Sequence, residues 1–255
     1  MHNLSDKTIL VTGASKGIGA MIAKRLGEAG AYVVAQYSSD KHGAVDATRT
    51  ISDSHKLLVK ADFTNLDHVE TLWDEAERWR GGIDVFVNNA AVMLFDSGFD
   101  RPLDVWDRTW EITLRINVLA PARLLRRAVR HFTAGDGGTI ITISSWAAQK
   151  GVTNPDTIAY GSSKAAVHDA TQTIARAYAK QGILAYVVAP GVVRTRLSEE
   201  FAATQGGEQK VSDMLAMGEW VPPEEIGELV SFLATGNVRH LSGATLDING
   251  ASYIR

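Results

Sequence analysis

Short apolar runs rich in Val and Ile recur along the chain, at Thr8–Val11, Tyr32–Ala35, Leu57–Lys60, Ile83–Val87, Thr139–Ile143, Ile183–Ala189 and Thr245–Ile248. Between them, apolar residues return every third or fourth position in Ile18–Ala29, Val69–Trp79, Val105–Phe132, Thr157–Gln181 and Glu224–Ala234. That is the period of an amphipathic helix. Several of the short runs lack the polar alternation of a half-exposed strand, so both of their faces are expected to be covered. Strands alternating with helices predict βαβ units and an α/β fold: a doubly wound parallel sheet of about seven strands, with helices on both faces. One stretch breaks the rhythm. Residues 192–220 are polar, carry Gly206-Gly207 and contain no strand pattern. A long excursion of this kind reads as a lid or binding loop, the alternative being a surface insertion with short helices.

Composition narrows the picture. A chain of 255 residues, 45% of them apolar, fills one α/β domain without splitting, and neither repeat nor linker divides residues 1–255. Lys and Arg number 26 against 29 Asp and Glu, a net charge of -3 that argues against nucleic acid or an anionic membrane surface as partner. The absence of cysteine removes disulfides, thiolate metal sites and cysteine nucleophiles, and suits a reducing cytoplasm. The histidines at 2, 42, 55, 68, 131, 168 and 240 form no tight ligand cluster, so no catalytic metal is expected. No window approaches the roughly 18 unbroken apolar residues of a membrane span. Too little chain precedes the first strand for a signal peptide, so a soluble cytoplasmic protein is the expectation.

Candidate chemistry clusters at strand ends. The first strand runs into Thr12-Gly13-Ala14-Ser15-Lys16-Gly17-Ile18-Gly19 and then a helix. Glycines tighten such a turn and admit a pyrophosphate to the backbone, while the helix N-terminus offers free amides. The spacing is Gly-x3-Gly-x-Gly, not the general dinucleotide fingerprint, and alone it marks no more than a tight turn. Tyr160 and Lys164 stand four apart at the start of a long helix, on one face. A phenol with a pKa near ~10 is a poor acid–base at neutral pH, and a lysine cation nearby favours the phenolate. The strand ending in Ser144-Ser145 points hydroxyls into the crevice where parallel sheets bind ligands. Asn88-Asn89-Ala90 closes the fourth strand with side chains able to satisfy loose backbone groups.

In order and rough spacing, Thr12–Gly19, Asp62, Asn88-Asn89-Ala90, Asn117, Ser145, Tyr160, Lys164 and Pro190-Gly191 resemble the short-chain dehydrogenase/reductase family, from Lys7 to Gly250. The resemblance implies a Rossmann-like domain and a nicotinamide-dependent oxidoreductase acting on an alcohol or carbonyl carbon. It makes Tyr160 the acid–base, with Lys164 lowering its pKa and holding the nicotinamide ribose. Ser145 would hold the substrate oxygen, and Asn117 a water linking Lys164 to solvent. Gly13, Ser15, Lys16, Gly17, Ile18 and Gly19 would surround the pyrophosphate. Tyr37 and Ser38 would meet the adenosine ribose, and Asp62 and Phe63 the adenine. Asn89, Ala90 and Ala91 would line the cofactor, and Pro190, Gly191, Val193 and Thr195 its nicotinamide half. The helices carrying Arg123–Arg130 and Tyr160 resemble the pair through which family members dimerise, so a homodimer or homotetramer is expected.

Departures from the family pattern are local. Ala91 replaces a usual glycine, and Ser145 lies fifteen residues before Tyr160, a wider spacing than is usual. The extra residues fall in Gln149–Thr157, beside the expected substrate. Ser144 competes with Ser145 for the substrate oxygen, with the family's Ser-Ser pattern favouring the latter. Tyr37-Ser38-Ser39 ends the second strand without the carboxylate that NAD-preferring proteins place there, and Lys16 offers a point charge to a 2′-phosphate. NADP is therefore favoured over NAD, although no arginine follows the strand. Trp146, Met93, Met214, Met217 and Trp220 are expected in or near the pocket and lid. A silent nucleotide-binding regulator and an isomerase or dehydratase on a similar fold stay open as alternatives.

Overall fold

Every strand of the sheet runs parallel to its neighbours, in the order β3-β2-β1-β4-β5-β6-β7. The computed structural model describes residues 2–255. In chain order the elements are β1 (Thr8–Val11), α1 (Gly17–Glu28), β2 (Tyr32–Tyr37), α2 (Lys41–Ala47), β3 (Lys56–Lys60), α3 (Asp67–Arg80), β4 (Val85–Asn88), α4 (Leu103–Leu114), α5 (Ala120–Ala134), β5 (Gly138–Ile143), α6 (Ala147–Lys150), α7 (Ile158–Tyr178), β6 (Ile183–Pro190), α8 (Arg196–Thr204), α9 (Glu208–Asp213), α10 (Pro223–Ala234) and β7 (Thr245–Ile248).

The uniform apolar character of the strands follows from burial on both sides, which the alternation of side chains divides between two layers. Ile9 and Val11 of β1, Val85 and Val87 of β4 and Ile141 and Ile143 of β5 face α1 and α10, where Ile22, Leu26, Ile226 and Val230 complete one core. Leu10, Phe86 and Ile140 face the opposite layer, with Leu72 and Trp73 of α3, Leu124 and Phe132 of α5 and Ala175 of α7. Each such side chain contributes about 1.5–3 kcal/mol by leaving water.

One expectation is revised. The helix foreseen over Val105–Phe132 is interrupted by a π-helical turn at Arg115–Leu119 between α4 and α5. Pro121 has no N–H to give the carbonyl of Asn117 four residues back, and the ladder shifts, with Ala120 N donating to Arg115 O. The excursion at 192–220 folds into α8 and α9, its two ends joined by a single bridge, Val193 with Val221, and Val193 packs into the sheet's core. The arginine face of α5 has partners: Arg127 pairs with Glu70 at 2.9 Å and with Asp74 and Glu77 of α3.

Between β1 and β4 the strand order reverses, opening a crevice at the carboxyl ends of the strands. Trp73 is fully buried on the α3 side and meets the Phe86 ring edge-on at 6.0 Å. Trp73→Ala is expected to lower the unfolding free energy by about 3–5 kcal/mol in urea titrations.

Candidate active site

Crowding of one backbone segment on another dictates the glycine turn. Gly13 and Gly17 adopt φ of 68° and 57°, the left-handed region that glycine enters freely. A Cβ on Gly19 would lie 2.1 Å from the Gly13 carbonyl oxygen and 2.4 Å from Asn89 Nδ2. Thr12 ties the two loops together: its Oγ1 accepts from the amides of Asn89 at 3.0 Å and Ala90 at 3.1 Å. Asn89 Nδ2 returns a bond to the Thr12 carbonyl at 2.8 Å. Gln36, buried in β2, accepts from the Gly13 amide at 2.7 Å and donates to the Ala61 carbonyl at 2.7 Å. Sequence reasoning missed this residue, although a glutamine inside Tyr32–Tyr37 is the odd polar position of an apolar strand.

The turn leaves the amides of Ser15, Lys16, Gly17, Ile18 and Gly19 without a hydrogen-bond acceptor among the described residues. They open at the N-terminus of a twelve-residue helix, and Asn88 Oδ1 nearby is buried with no partner. Free amides, a positive dipole end and room too tight for any Cβ fit a dinucleotide pyrophosphate. Around this point, Asp62 is half-buried and accepts from the Thr64 amide at 2.9 Å. The Phe63 side chain is packed into the α3-side core, so only its backbone is available to a ligand. Tyr37 is likewise buried, whereas Lys16 and Ser38 are exposed and Ala91 half-buried. Asp40, the first carboxylate after β2, accepts from the Gly43 amide at 2.8 Å as the cap of α2. On the far side, Pro190 ends β6 and accepts from the Trp146 amide at 3.0 Å. Gly191 backs onto Asn249, Val193 is buried, and Thr195 caps α8 with its methyl carbon 3.2 Å from where a Gly17 Cβ would stand.

Tyr160, Lys164 and Ser145 meet beside this crevice. Ser145 and Tyr160 line the same cavity, and the Ser145 Oγ accepts from the Ala147 amide at 3.1 Å. Lys164 is buried; its Nζ donates to the Ile143 carbonyl at 2.8 Å and lies 5.8 Å from the Tyr160 ring centroid. Ser144 is turned the other way, donating to the Lys164 carbonyl at 3.1 Å. Burial pushes the Tyr160 phenol up to about 12, with the Ser145 hydroxyl opposing that rise. Burial also lowers Lys164 to about 8. Asn117 sits in the π turn, its Oδ1 accepting from Val92 N at 2.9 Å and its Nδ2 donating to Val92 O at 2.8 Å and Ser163 Oγ at 3.0 Å. Its side chain thus anchors the β4–α4 loop to α7.

The start of α7 has a remote cap that no local pattern announces. Ser97, fully buried, accepts from the Ala159 amide at 3.1 Å and donates to the Asp156 carbonyl at 2.7 Å, while Arg101 pairs with the Asp156 carboxylate. This fixes the turn that carries Tyr160. A cavity of about 200 Å³ opens in front of Ser145 and Tyr160, walled by Met93, Trp146, Val152, Phe201, Met214 and Leu215 among others. Met217 and Trp220 line a separate cleft toward the C-terminus. Among the described residues, no His, Asp or Glu grouping could hold a metal ion, and no helix is long and apolar enough to cross a membrane.

A Gly-rich turn at a strand-order reversal, with a Ser–Tyr–Lys group beside it, defines a dinucleotide-binding oxidoreductase of the α/β class. The family model described as enoyl-(acyl carrier protein) reductase matches residues 13–251. The chain belongs to the short-chain dehydrogenase/reductase family. It is 33% identical to 3beta-hydroxysteroid dehydrogenase 1 of Eggerthella lenta over 97% of this chain and 94% of that protein. A short chain dehydrogenase from Burkholderia cenocepacia in complex with NADP superposes with a TM-score of 0.87 at 30% identity, covering 98% of this chain and 99% of that one. A 3-ketoacyl-(acyl-carrier-protein) reductase from Brucella melitensis complexed with NADH gives 0.87 at 26% identity, covering 99% and 100%.

The lowered Lys164 has a consequence for stability. Between about 8, its folded value, and 10.5, its ordinary value, the unfolded chain binds more protons than the folded one. Stability contributed by this group therefore rises with pH across that window, by about 3 kcal/mol in full. The difference in unfolding free energy between wild type and Lys164→Met is expected to shift in favour of wild type from pH 8 to 10.5. A flat difference would contradict the burial of the ammonium.

Proposed function

We propose that this protein transfers a hydride between NADP and an alcohol or carbonyl carbon, with Tyr160 moving the proton at the substrate oxygen. The observation carrying the proposal is that Ser145 and Tyr160 line one cavity, with buried Lys164 one turn further along α7, next to a helix N-terminus with free amides. Bound nicotinamide supplies or takes the hydride. At neutral pH Tyr160 is a phenol, as any tyrosine is, and burial makes it hold its proton more firmly, so a carbonyl oxygen gaining negative charge meets a proton donor. Ser145 presents a second hydroxyl to the same oxygen, the role of an oxyanion donor. Lys164, still largely cationic at neutral pH, balances the phenolate left after proton transfer and is the residue placed to hold a ribose hydroxyl. Asn117 fixes the loop against α7, and its turn in the helix is where a water path from Lys164 would run.

For the cofactor, Gly13, Ser15, Lys16, Gly17, Ile18 and Gly19 would hold the pyrophosphate. Asn89, Ala90, Ala91, Asp62 and the backbone of Phe63 would line the adenosine side, with Pro190, Gly191, Val193 and Thr195 at the nicotinamide. NADP is favoured because exposed Lys16 and Ser38 flank the end of β2, Tyr37 is buried, and Asp40 is engaged as a helix cap. A homodimer or homotetramer in the cytoplasm completes the reading; Leu103 and Leu119, on and beside α4, are 72% and 47% exposed and suit cover by another copy. A regulator without chemistry would have no use for Ser145 and Tyr160 at one cavity with Lys164 behind them.

Two substitutions test the proposal. Tyr160→Phe is expected to lower turnover of a carbonyl panel, followed at 340 nm, by at least about a hundredfold while NADPH affinity stays within about threefold. Retained turnover would remove Tyr160 from the acid–base role. Ser38→Asp is expected to move the NADPH-to-NADH affinity ratio toward NADH by about tenfold, the effect of roughly 1.4 kcal/mol of repulsion. An unmoved ratio would place the 2′-phosphate elsewhere or remove it.

A further inference from the structure

The cavity in front of Tyr160 is apolar apart from the Ser145 and Tyr160 hydroxyls, a few small polar side chains and one charge. Among the described residues, Lys150 is the only charged side chain in its wall. Lys150 ends α6, the short helix that begins two residues after Ser145. Its amino group lies 3.7 Å from the centroid of the Trp146 ring, itself part of the cavity wall, and 6.0 Å from that of Tyr253. The Trp146 backbone is held in turn by its bond to Pro190 at 3.0 Å. The ammonium is therefore located by aromatic faces and not by an acid. No carboxylate pairs with it among the described residues, whereas Arg101, Arg127, Arg194 and Arg196 each have one. Surrounding protein lowers the Lys150 pKa by desolvation, with no acid opposing the shift.

We infer that Lys150 is a specificity residue that pairs with a carboxylate on the substrate, making the preferred substrates small oxo acids and their hydroxy-acid counterparts. A compact ammonium on a flexible stem acts as a point charge and needs no bidentate partner. Lys150 is exposed at the rim of the cavity, so its charge-assisted bond to a carboxylate is shielded by the Trp146 face on one side and open to solvent on the other. The cavity, at about 200 Å³, lies below the roughly 300–1,000 Å³ of sites for drug-sized ligands, so the substrate is small. One end of such a molecule places its carbonyl at Ser145 and Tyr160, and the other end reaches Lys150. The carboxylate is unchanged by the reaction; only the carbonyl carbon gains the hydride and its oxygen the proton. This inference rests on the hydride-transfer reading proposed above.

The test uses 4-oxopentanoate, 5-oxohexanoate and 6-oxoheptanoate, each against its methyl ester, with saturating NADPH and the full-length protein. For at least one chain length, wild type is expected to favour the acid over the ester by about tenfold in kcat/KM, mainly through KM. Lys150→Met is expected to bring that ratio close to one, Lys150→Glu to invert it, and Lys150→Arg to preserve most of it. Esters turned over as well as acids by wild type, or an acid preference untouched in Lys150→Met, would overturn the inference while leaving the hydride-transfer reading standing. If neither acids nor esters react, the hydride-transfer reading fails. The anion site is then judged by calorimetry of the same acid–ester pairs: tighter binding of the acid, lost in Lys150→Met, supports it, and equal binding overturns it.

Discussion

At the junction of β1 and β4 the Gly13 carbonyl stands where a side chain on Gly19 would have to be, and Asn89 closes the same space from the other loop. Much of the architecture can be traced from that close approach. It requires glycine at both positions, draws the helix N-terminus against the sheet and leaves a row of amides with no acceptor among the described residues. Thr12, Asn89 and Gln36 supply the hydrogen bonds that hold the crowded backbone in place, so the anion cradle is built before any ligand arrives. Preorganisation of this kind removes an ordering cost from binding.

The chemistry beside it depends on a second set of constraints, carried by α7. Ser97, Asp156 and Arg101 fix the first turn of that helix, and Asn117 with Ser163 fixes the next. Both anchors come from the segment between β4 and α5, so a loop far away in sequence sets the position of Tyr160. Burial then shapes the proton affinities: it makes the Tyr160 phenol hold its proton more firmly and lowers the Lys164 ammonium to about 8.

Specificity is assigned to a different layer. In the proposed reading the glycine turn and the Ser–Tyr–Lys group would serve any alcohol or carbonyl, whereas much of the cavity wall comes from α6, α8 and α9, which sit outside the sheet. The segment between Ser145 and Tyr160 carries α6 and sets Lys150 in the cavity wall.

Seven parallel strands, two helical layers and the position of the glycine turn were legible in the sequence, because both periodicity and glycine punctuation are local consequences of backbone geometry. Tyr160 and Lys164 were legible for the same reason, as residues four apart on a helix share a face. The sequence alone also settled the matter of cysteine chemistry. Tertiary structure decided what depends on contacts between distant segments. Gln36 under Gly13 and Ser97 capping α7 are side chains whose partners lie 23 and 62 residues away. The break in the long helix at Asn117 was foreshadowed by Pro121, but the choice of a π turn over a kink belongs to packing against Val92 and Ser163. Phe63 and Tyr37, expected at the ligand, turn inward because strand alternation and core packing outweigh their place at strand ends. The direction of the Lys164 ammonium was likewise undetermined by spacing, since a four-carbon side chain goes where the buried carbonyl needs a donor, and that carbonyl belongs to another strand.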